Sequence, residues 1–427
     1  MAKETTRVSV VIGEQKLEVG NLVFERDGPR QSSMFRYAPT WLERPNRFAL
    51  SPALPLSEAP FFTSGNRENR RAALPSPVSD GTPDSWGRGI IRRALGRQPS
   101  EIEFLLRTDD RTRQGALRYL DEAGNPLSQD SPPVPRSTDL DSLARLARLY
   151  ESDPTLGQKE LVQLIGDAGS LGGARPKANF DDAGVLSIAK FTSERDLMPI
   201  ERMEVATLRL ARAAGLNAAA ARIELSRSDY PVAVIARFDR RKSGRVHYLS
   251  AQSFMGAEEA SGGFYTDLSD QMRAHCANHE AQLEELHRRI LFTILVSNND
   301  DHLKNHGFLY GGEQKWVLAP AFDINPQPDR HRQLETGISE MSGYEASIEA
   351  AIEAAPFFDL SEDRAMTNLR RLVGTISDQW VGHCRDAGMT PSEVAAYRGA
   401  FQHPEVEKAR TMIAPRIAVQ PSLGPNL

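Results

Sequence analysis

Four polar segments in a fixed order constrain this chain more than any other feature of it. Gly169-Ser-Leu-Gly172-Gly173-Ala174-Arg-Pro-Lys177 comes first and Val185-Leu-Ser-Ile-Ala-Lys190-Phe second; Asp300-Asp-His-Leu-Lys-Asn305 follows, then Asp323 within Ala-Phe-Asp-Ile-Asn. Singly, each is commonplace: a glycine pair marks a turn, a strand-end lysine sits at a surface, and a lone aspartate caps or turns. Their order is far less common. Taken in chain order they read as a glycine loop, a lysine strand, an Asp-x4-Asn loop and a metal-binding aspartate. The hairpin-like stretch from Gly307 to Leu318 would return Asp323 beside Asn305.

That set suits phosphoryl transfer, in which a protein holds phosphates, places Mg²⁺ between oxygens and orients a hydroxyl nucleophile. On this reading Lys190 sets its ammonium against ATP phosphates and Asp300 accepts the hydroxyl proton. Asn305 and Asp323 supply hard oxygen donors, which fit Mg²⁺ better than zinc. The glycine segment offers backbone N–H groups to phosphate. It matches neither G-x-x-x-x-G-K-[ST] nor G-x-G-x-x-G, so alone it is weak evidence.

The 427 residues suit two or three packed lobes. With 52 Lys plus Arg against 57 Asp plus Glu, the formal charge of −5 gives no global pull toward nucleic acid or anionic membrane. Only Cys276 and Cys384 are present, as in a reducing compartment, and no stretch approaches the roughly 20 apolar residues of a membrane span. A cytoplasmic chain with no signal peptide and no membrane contact is expected.

Alternation around Gly13-Glu14-Gln15 predicts a β-hairpin, and helical character starts at Trp86 after a proline-rich stretch. The predicted division is a β-rich domain over 1–127, a linker over 128–137, a lobe with the glycine segment and the lysine strand over 138–245, and a helical lobe over 246–427. Helices are expected from Leu140 and from Glu201 to Gly215, the latter placing Glu204 within reach of Lys190, and a buried strand over 232–238. The fold class is α+β. Three features are set aside: His275-Cys276-x-x-His279 as a helix-surface cluster, and Asp109-Asp110 and Asp181-Asp182 as hydrated turns.

The chain resembles the HipA family of bacterial toxin kinases along nearly its whole length. The resemblance rests on Ser170 to Lys177, on Arg237-Phe238-Asp-Arg240, on Asn299 to Asn305, on Pro320 to Asp323, and in the N-terminal part on Tyr37 to Leu42, Leu50 to Leu56 and Leu74 to Arg88. It implies a two-lobed protein-kinase-like fold, related to phosphoinositide kinases, with a small β-rich N-terminal subdomain and a mainly helical C-terminal lobe. It further implies that Gly172, Gly173 and Ala174 line the phosphate loop, and that Arg237, Phe238 and His302 join Lys190 in holding ATP. Asn305 and Asp323 would hold Mg²⁺, and Ser170 would be an inhibitory autophosphorylation site, where a phosphate would repel ATP. The implied partners are a protein substrate, for example an aminoacyl-tRNA synthetase, and a HipB-like helix-turn-helix antitoxin through which the chain meets DNA only indirectly.

Two departures stand out: Ala236 replaces a glutamate before Arg237, and Arg175-Pro176 stiffens the loop. Three other readings stay open on the residues alone: a small-molecule or lipid phosphotransferase, a non-catalytic co-repressor, and a phosphohydrolase binding metals through Asp300, Asp301, His302, His306 and Asp323.

Overall fold

The computed structural model describes residues 3–65, 73–128, 134–135, 139–157, 159–161, 164, 175–225, 227–228, 230–328 and 332–414. Ser170, Gly172, Gly173 and Ala174 lie outside the described residues.

The expected hairpin is strands β1 (Glu4–Ile12) and β2 (Leu17–Asp27). β3 (Arg30–Tyr37), β4 (Phe61–Ser64) and β5 (Leu117–Leu120) extend it into an antiparallel sheet in the order β4-β3-β2-β1-β5. One face of this sheet buries Val8, Val10, Leu22, Phe24, Phe35 and Tyr37. The Tyr37 hydroxyl donates to the Leu54 carbonyl at 2.6 Å and accepts from the Leu50 N–H at 2.9 Å. The start of the proline-rich segment is thereby pinned to the sheet at Leu50 and Leu54, and β4 is the part of it that joins the sheet's edge.

Helix α1 (Ser85–Leu95) starts where Asp84 caps it, accepting from the Gly87 N–H at 2.8 Å, and ends at Gly96 in the left-handed conformation. Its buried residues Trp86 and Ile90 pack with helix α2 (Leu140–Ser152), and with Phe180, Phe191 and Val234 of the second sheet. The division expected at 127 therefore does not separate two cores. The apolar face of α1 needs a partner, and the second sheet provides it.

That sheet contains β6 (Lys177–Asp182), β7 (Val185–Phe191), β8 (Ala221–Glu224) and β9 (Val232–Ala236), antiparallel in the order β6-β7-β9-β8. Register places Lys177 opposite Lys190. Helix α3 (Ile200–Ala213) precedes β8, and its stop at Gly215 has φ +88°. Only one apolar face is expected of α3, yet Glu201, Arg202 and Glu204 are buried too.

The helical lobe is built on α4 (Tyr265–His275), α5 (His279–Leu295), α6 (Glu362–Asp386) and α7 (Pro404–Ile413). Leu286, Ile290, Phe292, Leu369, Leu372 and Ile376 share one core, and Trp380 stacks on Phe401 at 4.5 Å. A small sheet orders β10 (Tyr248–Ser250), β11 (Gly307–Gly312) and β12 (Lys315–Leu318). A Cβ at Gly307 would run into the Tyr248 ring, so only glycine allows β11 to leave the preceding loop so close to β10. Among the described residues no helix is long and apolar enough to cross a membrane.

Two sequence expectations are corrected. Asp109 and Asp110 are buried, not hydrated: Asp110 pairs with Arg118 at 2.5 Å and Asp109 with Arg111. Cys276 is buried at the end of α4, bridged to Trp316, because the β11–β12 hairpin covers it. Asp181 and Asp182 close β6; Asp181 accepts from the Gly184 N–H at 2.6 Å, and Asp182 pairs with Arg222 at 2.7 Å.

Candidate active site

A cavity of about 910 Å³ opens where the β-domain, the second sheet and the helical lobe meet. Lys190, Arg237, Phe238, His302, Asn305 and Asp323 all line it, although they come from four separate stretches of the sequence. Ile188, Ile235, Phe238 and Phe322 give it an apolar side. Asp300 is exposed at the head of the loop and is not among the lining residues; the loop enters the cavity through His302, Lys304 and Asn305.

Lys190 sits near the end of β7, and its ammonium is held between two carboxylates. Its Nζ lies 2.6 Å from Glu204 Oε1 on α3 and 2.8 Å from Asp323 Oδ1. Burial alone would discharge this lysine, but Asp323 and Glu204 reverse the effect and raise its pKa. Burial likewise opposes charge on Asp323, yet Lys190, with Lys177 behind it, outweighs burial and holds this carboxyl well below its ordinary range. The ion pair to Glu204 that helix spacing allows is therefore formed.

Asp323 is in the left-handed conformation, φ +57°, directly after the β11–β12 hairpin that turns the chain back toward the loop. Both donors to its carboxylate, Lys190 Nζ and Asn325 Nδ2, converge on Oδ1 at 2.8 Å. No described residue bonds Oδ2. Asn305, in the 3₁₀ turn Leu303–Asn305, donates through Nδ2 to the Asp300 carbonyl at 2.8 Å, which leaves its own Oδ1 open. Two hard oxygens from two cavity-lining residues remain, a donor set that suits a Mg²⁺ completed by water and phosphate oxygens.

Asp301, without a role in the kinase reading of the sequence, is a buried anchor. Its Oδ2 accepts from the Tyr265 hydroxyl at 2.6 Å, meets His306 Nε2 at 3.1 Å and accepts from Thr293 at 3.3 Å. Burial opposes its charge, but His306 and Tyr265 hold the carboxyl below its usual value. Two ligands required by the phosphohydrolase reading thus bond each other. Among the described residues no group of three or more His, Cys, Asp or Glu could hold a metal ion.

Arg237 lines the cavity but turns its guanidinium elsewhere. Its Nε and Nη2 bond Asp239 at 2.9 and 2.5 Å, Nη1 bonds Asn179 Oδ1 at 2.7 Å and the Thr112 carbonyl at 2.5 Å, and Nη2 also reaches the Arg113 carbonyl at 3.3 Å. All five donors of a guanidinium are thereby occupied. Asp239 also accepts from the Gly115 N–H at 2.7 Å and pairs with Arg240, and its carboxyl is driven down to about 2 because the two arginines outweigh burial. The Arg237-Phe-Asp-Arg240 segment welds the β-domain to the second sheet. Phe238 alone of the pair offers the cavity a free face, its ring 5.5 Å from that of Phe322.

Sequence reasoning missed four contributors. Lys177 is buried, with Nζ 2.8 Å from Asp84 Oδ2, so the carboxylate that caps α1 also holds a cavity lysine. Asp80 accepts from the N–H and hydroxyl of Ser250, both at 2.8 Å, and clasps the β-domain to the helical lobe across the same cavity. Asn325 orients Asp323. For Asn325 the signal was its place two residues after Asp323; for Asp80 and Asp84 it was their spacing ahead of a helix.

Residues 169–380 match the HipA-like C-terminal domain and residues 10–120 the HipA N-terminal domain. A relative from Sinorhizobium fredii described as "Putative kinase Y4mE" is 28% identical over 315 residues, spanning 68% of this chain and 71% of the relative. A "Putative kinase" from Haemophilus influenzae is 32% identical over 109 residues, 22% of this chain and 32% of that protein. In fold, the chain is similar to the toxin–antitoxin complex of HipA, HipB and operator DNA from Shewanella oneidensis MR-1. The TM-score is 0.69 at 18% identity, over 95% of this chain and 99% of the other.

Proposed function

Since the chain belongs to the HipA family, we propose that it is an ATP- and Mg²⁺-dependent serine/threonine protein kinase of the toxin type. The observation that carries the reading is the Lys190 ammonium held between Glu204 and Asp323 in the cavity wall, with Asp323 Oδ2 left open. A binding scaffold has no need of that arrangement.

Bound ATP with Mg²⁺ supplies the transferable phosphoryl group and neutralises its oxygens. Lys190 holds phosphate oxygens, its position fixed by Glu204. Asn305 and Asp323 give the cation oxygen ligands. Ile188, Ile235, Phe238 and Phe322 exclude water from the nucleotide end of the cavity. Asp300 takes the proton of the acceptor hydroxyl as the oxygen attacks. Asp301, tied to Tyr265, His306 and Thr293, keeps the loop from shifting.

The acceptor is a serine of a cellular protein, for example an aminoacyl-tRNA synthetase, so that transfer slows translation. Ser170 is the autophosphorylation site that shuts the enzyme down. A HipB-like helix-turn-helix antitoxin restrains the chain and brings it to DNA, to which a net charge of −5 gives it no general attraction of its own.

Incubation with ATP and Mg²⁺ is expected to add one phosphate at Ser170, read by mass spectrometry, and Asp300→Asn to abolish it. Robust labelling in the Asp300 variant would overturn the assigned mechanism. Phosphoproteomics after brief induction then identifies the cellular target.

A further inference from the structure

Asp323 presents a problem of choice. A carboxylate has two equivalent oxygens and a soft, nearly two-fold final torsion, so the backbone at Asp323 does not decide which oxygen meets a cation. Lys190 does not decide it either, because an ammonium is a point charge on a flexible stem that can pair with whichever oxygen is near. A second donor with its own fixed direction is required.

We propose that Asn325 is that donor: a positioning residue that clamps Oδ1 of Asp323 and so turns Oδ2 toward the divalent cation. The proposal rests on the kinase reading above. Asn325 Nδ2 reaches Oδ1 at 2.8 Å, the oxygen that Lys190 also takes. Asn325 is itself held from the far side, its N–H donating to Asn298 Oδ1 at 2.9 Å. Asn298 is buried just ahead of Asp300, and the Gln327 N–H donates to the Ser297 carbonyl at 3.0 Å in the same place. The metal carboxylate is thereby referenced to the segment that carries the catalytic base. A movement of that loop would carry Asn298, Asn325 and the Asp323 carboxylate together.

Two other roles are conceivable for Asn325, and each makes a different prediction. Its Oδ1 is buried without a hydrogen-bond partner, so it could itself be a metal ligand. It could also serve the fold alone. A ligand replaced by aspartate binds the cation more tightly. A positioning donor replaced by aspartate loses its N–H and sets a second negative charge against Asp323, so the cation binds more weakly.

The test is Mn²⁺ binding to the full-length protein with saturating ADP, followed by electron paramagnetic resonance, alongside ADP binding in EDTA and the melting temperature. Asn325→Ala and Asn325→Asp are each expected to raise the Mn²⁺ Kd roughly 10- to 100-fold, the scale of a lost hydrogen bond to a charged group. ADP affinity in EDTA should stay within about threefold on the same grounds. Asn298→Ala, which removes the tether and leaves Asn325 in place, is expected to give a smaller rise of roughly threefold to tenfold; it carries the test if the Asn325 variants do not fold. A Kd unchanged in the folded variants, or a tighter Kd in Asn325→Asp, overturns the proposal. A wild-type protein that binds no Mn²⁺ with ADP instead overturns the kinase reading itself.

Discussion

Two buried ion clusters face the same cavity, and they do opposite things. Around Lys190, three charged groups share two contacts, and an oxygen of Asp323 is left over. Around Arg237, every guanidinium donor and both Asp239 oxygens have partners. The first cluster has capacity to take a ligand; the second has none and joins two domains instead. Burial, charge and proximity to a cleft are common to both, so none of these marks a site. Unsatisfied bonding capacity does.

The comparison breaks most visibly at its functional pole. Lys190→Met and Asp300→Asn are each expected to lower phosphotransfer by roughly 10²- to 10⁴-fold, measured by labelling with radioactive ATP, while the folded state persists. A stable variant with near-normal transfer would remove the Lys190 cluster from the mechanism. At the structural pole, Asp239→Ala leaves Arg237 and Arg240 unpaired in a buried weld. It should cost about 3–5 kcal/mol of stability, read from denaturant midpoints. If that variant instead kept its stability and lost nucleotide affinity, the two clusters would have to exchange roles.

Between these poles stands Asp301→Asn, which keeps the shape but weakens the anchor to His306 and Tyr265. We expect about a tenfold fall in kcat with little change in the KM for ATP, as for an interaction made mainly in the transition state. A change confined to KM would place Asp301 in nucleotide binding.

The smallest effect concerns pH. His247, bonded to the Leu50 carbonyl, and His403, bonded to the Leu295 carbonyl, are pushed down to about 4 by burial. The unfolded chain therefore binds more protons below about 6.5, where free histidine titrates. Their contribution to stability is complete above that value and declines as pH falls toward 4. The Asp323 carboxyl, held below its ordinary range, stays charged throughout this interval. Urea midpoints should fall between pH 7 and 5 while ADP affinity holds, and His247→Gln should reduce the slope.

Much of the fold was legible in the sequence. The β1–β2 hairpin, α2, β7 and the stop of α3 at Gly215 follow from local alternation, periodicity and glycine chemistry, which act over a few residues. The membership of α1 was not legible, because its apolar face fits either neighbouring sheet and only the packing of Trp86 and Ile90 against Phe180 and Phe191 decides between them. Asp110 misled for a related reason: an acidic pair favours water unless arginines reach it, and Arg118 and Arg245 reach Asp110 from later strands.

For the site, the sequence alone supplied the reactive inventory in order, a lysine on a strand, an Asp-x4-Asn loop and a later aspartate. It also supplied the turn chemistry that lets β11 and β12 fold back. What only the tertiary structure decided is which of these groups are already engaged. Lys190 and Asp323 stand 133 residues apart, and Arg237 finds the Thr112 carbonyl 125 residues away. Hydrogen-bond satisfaction depends on neighbours that distant, and local sequence carries no record of them, so an arginine that welds and a lysine that stays poised can look alike until the chain is folded.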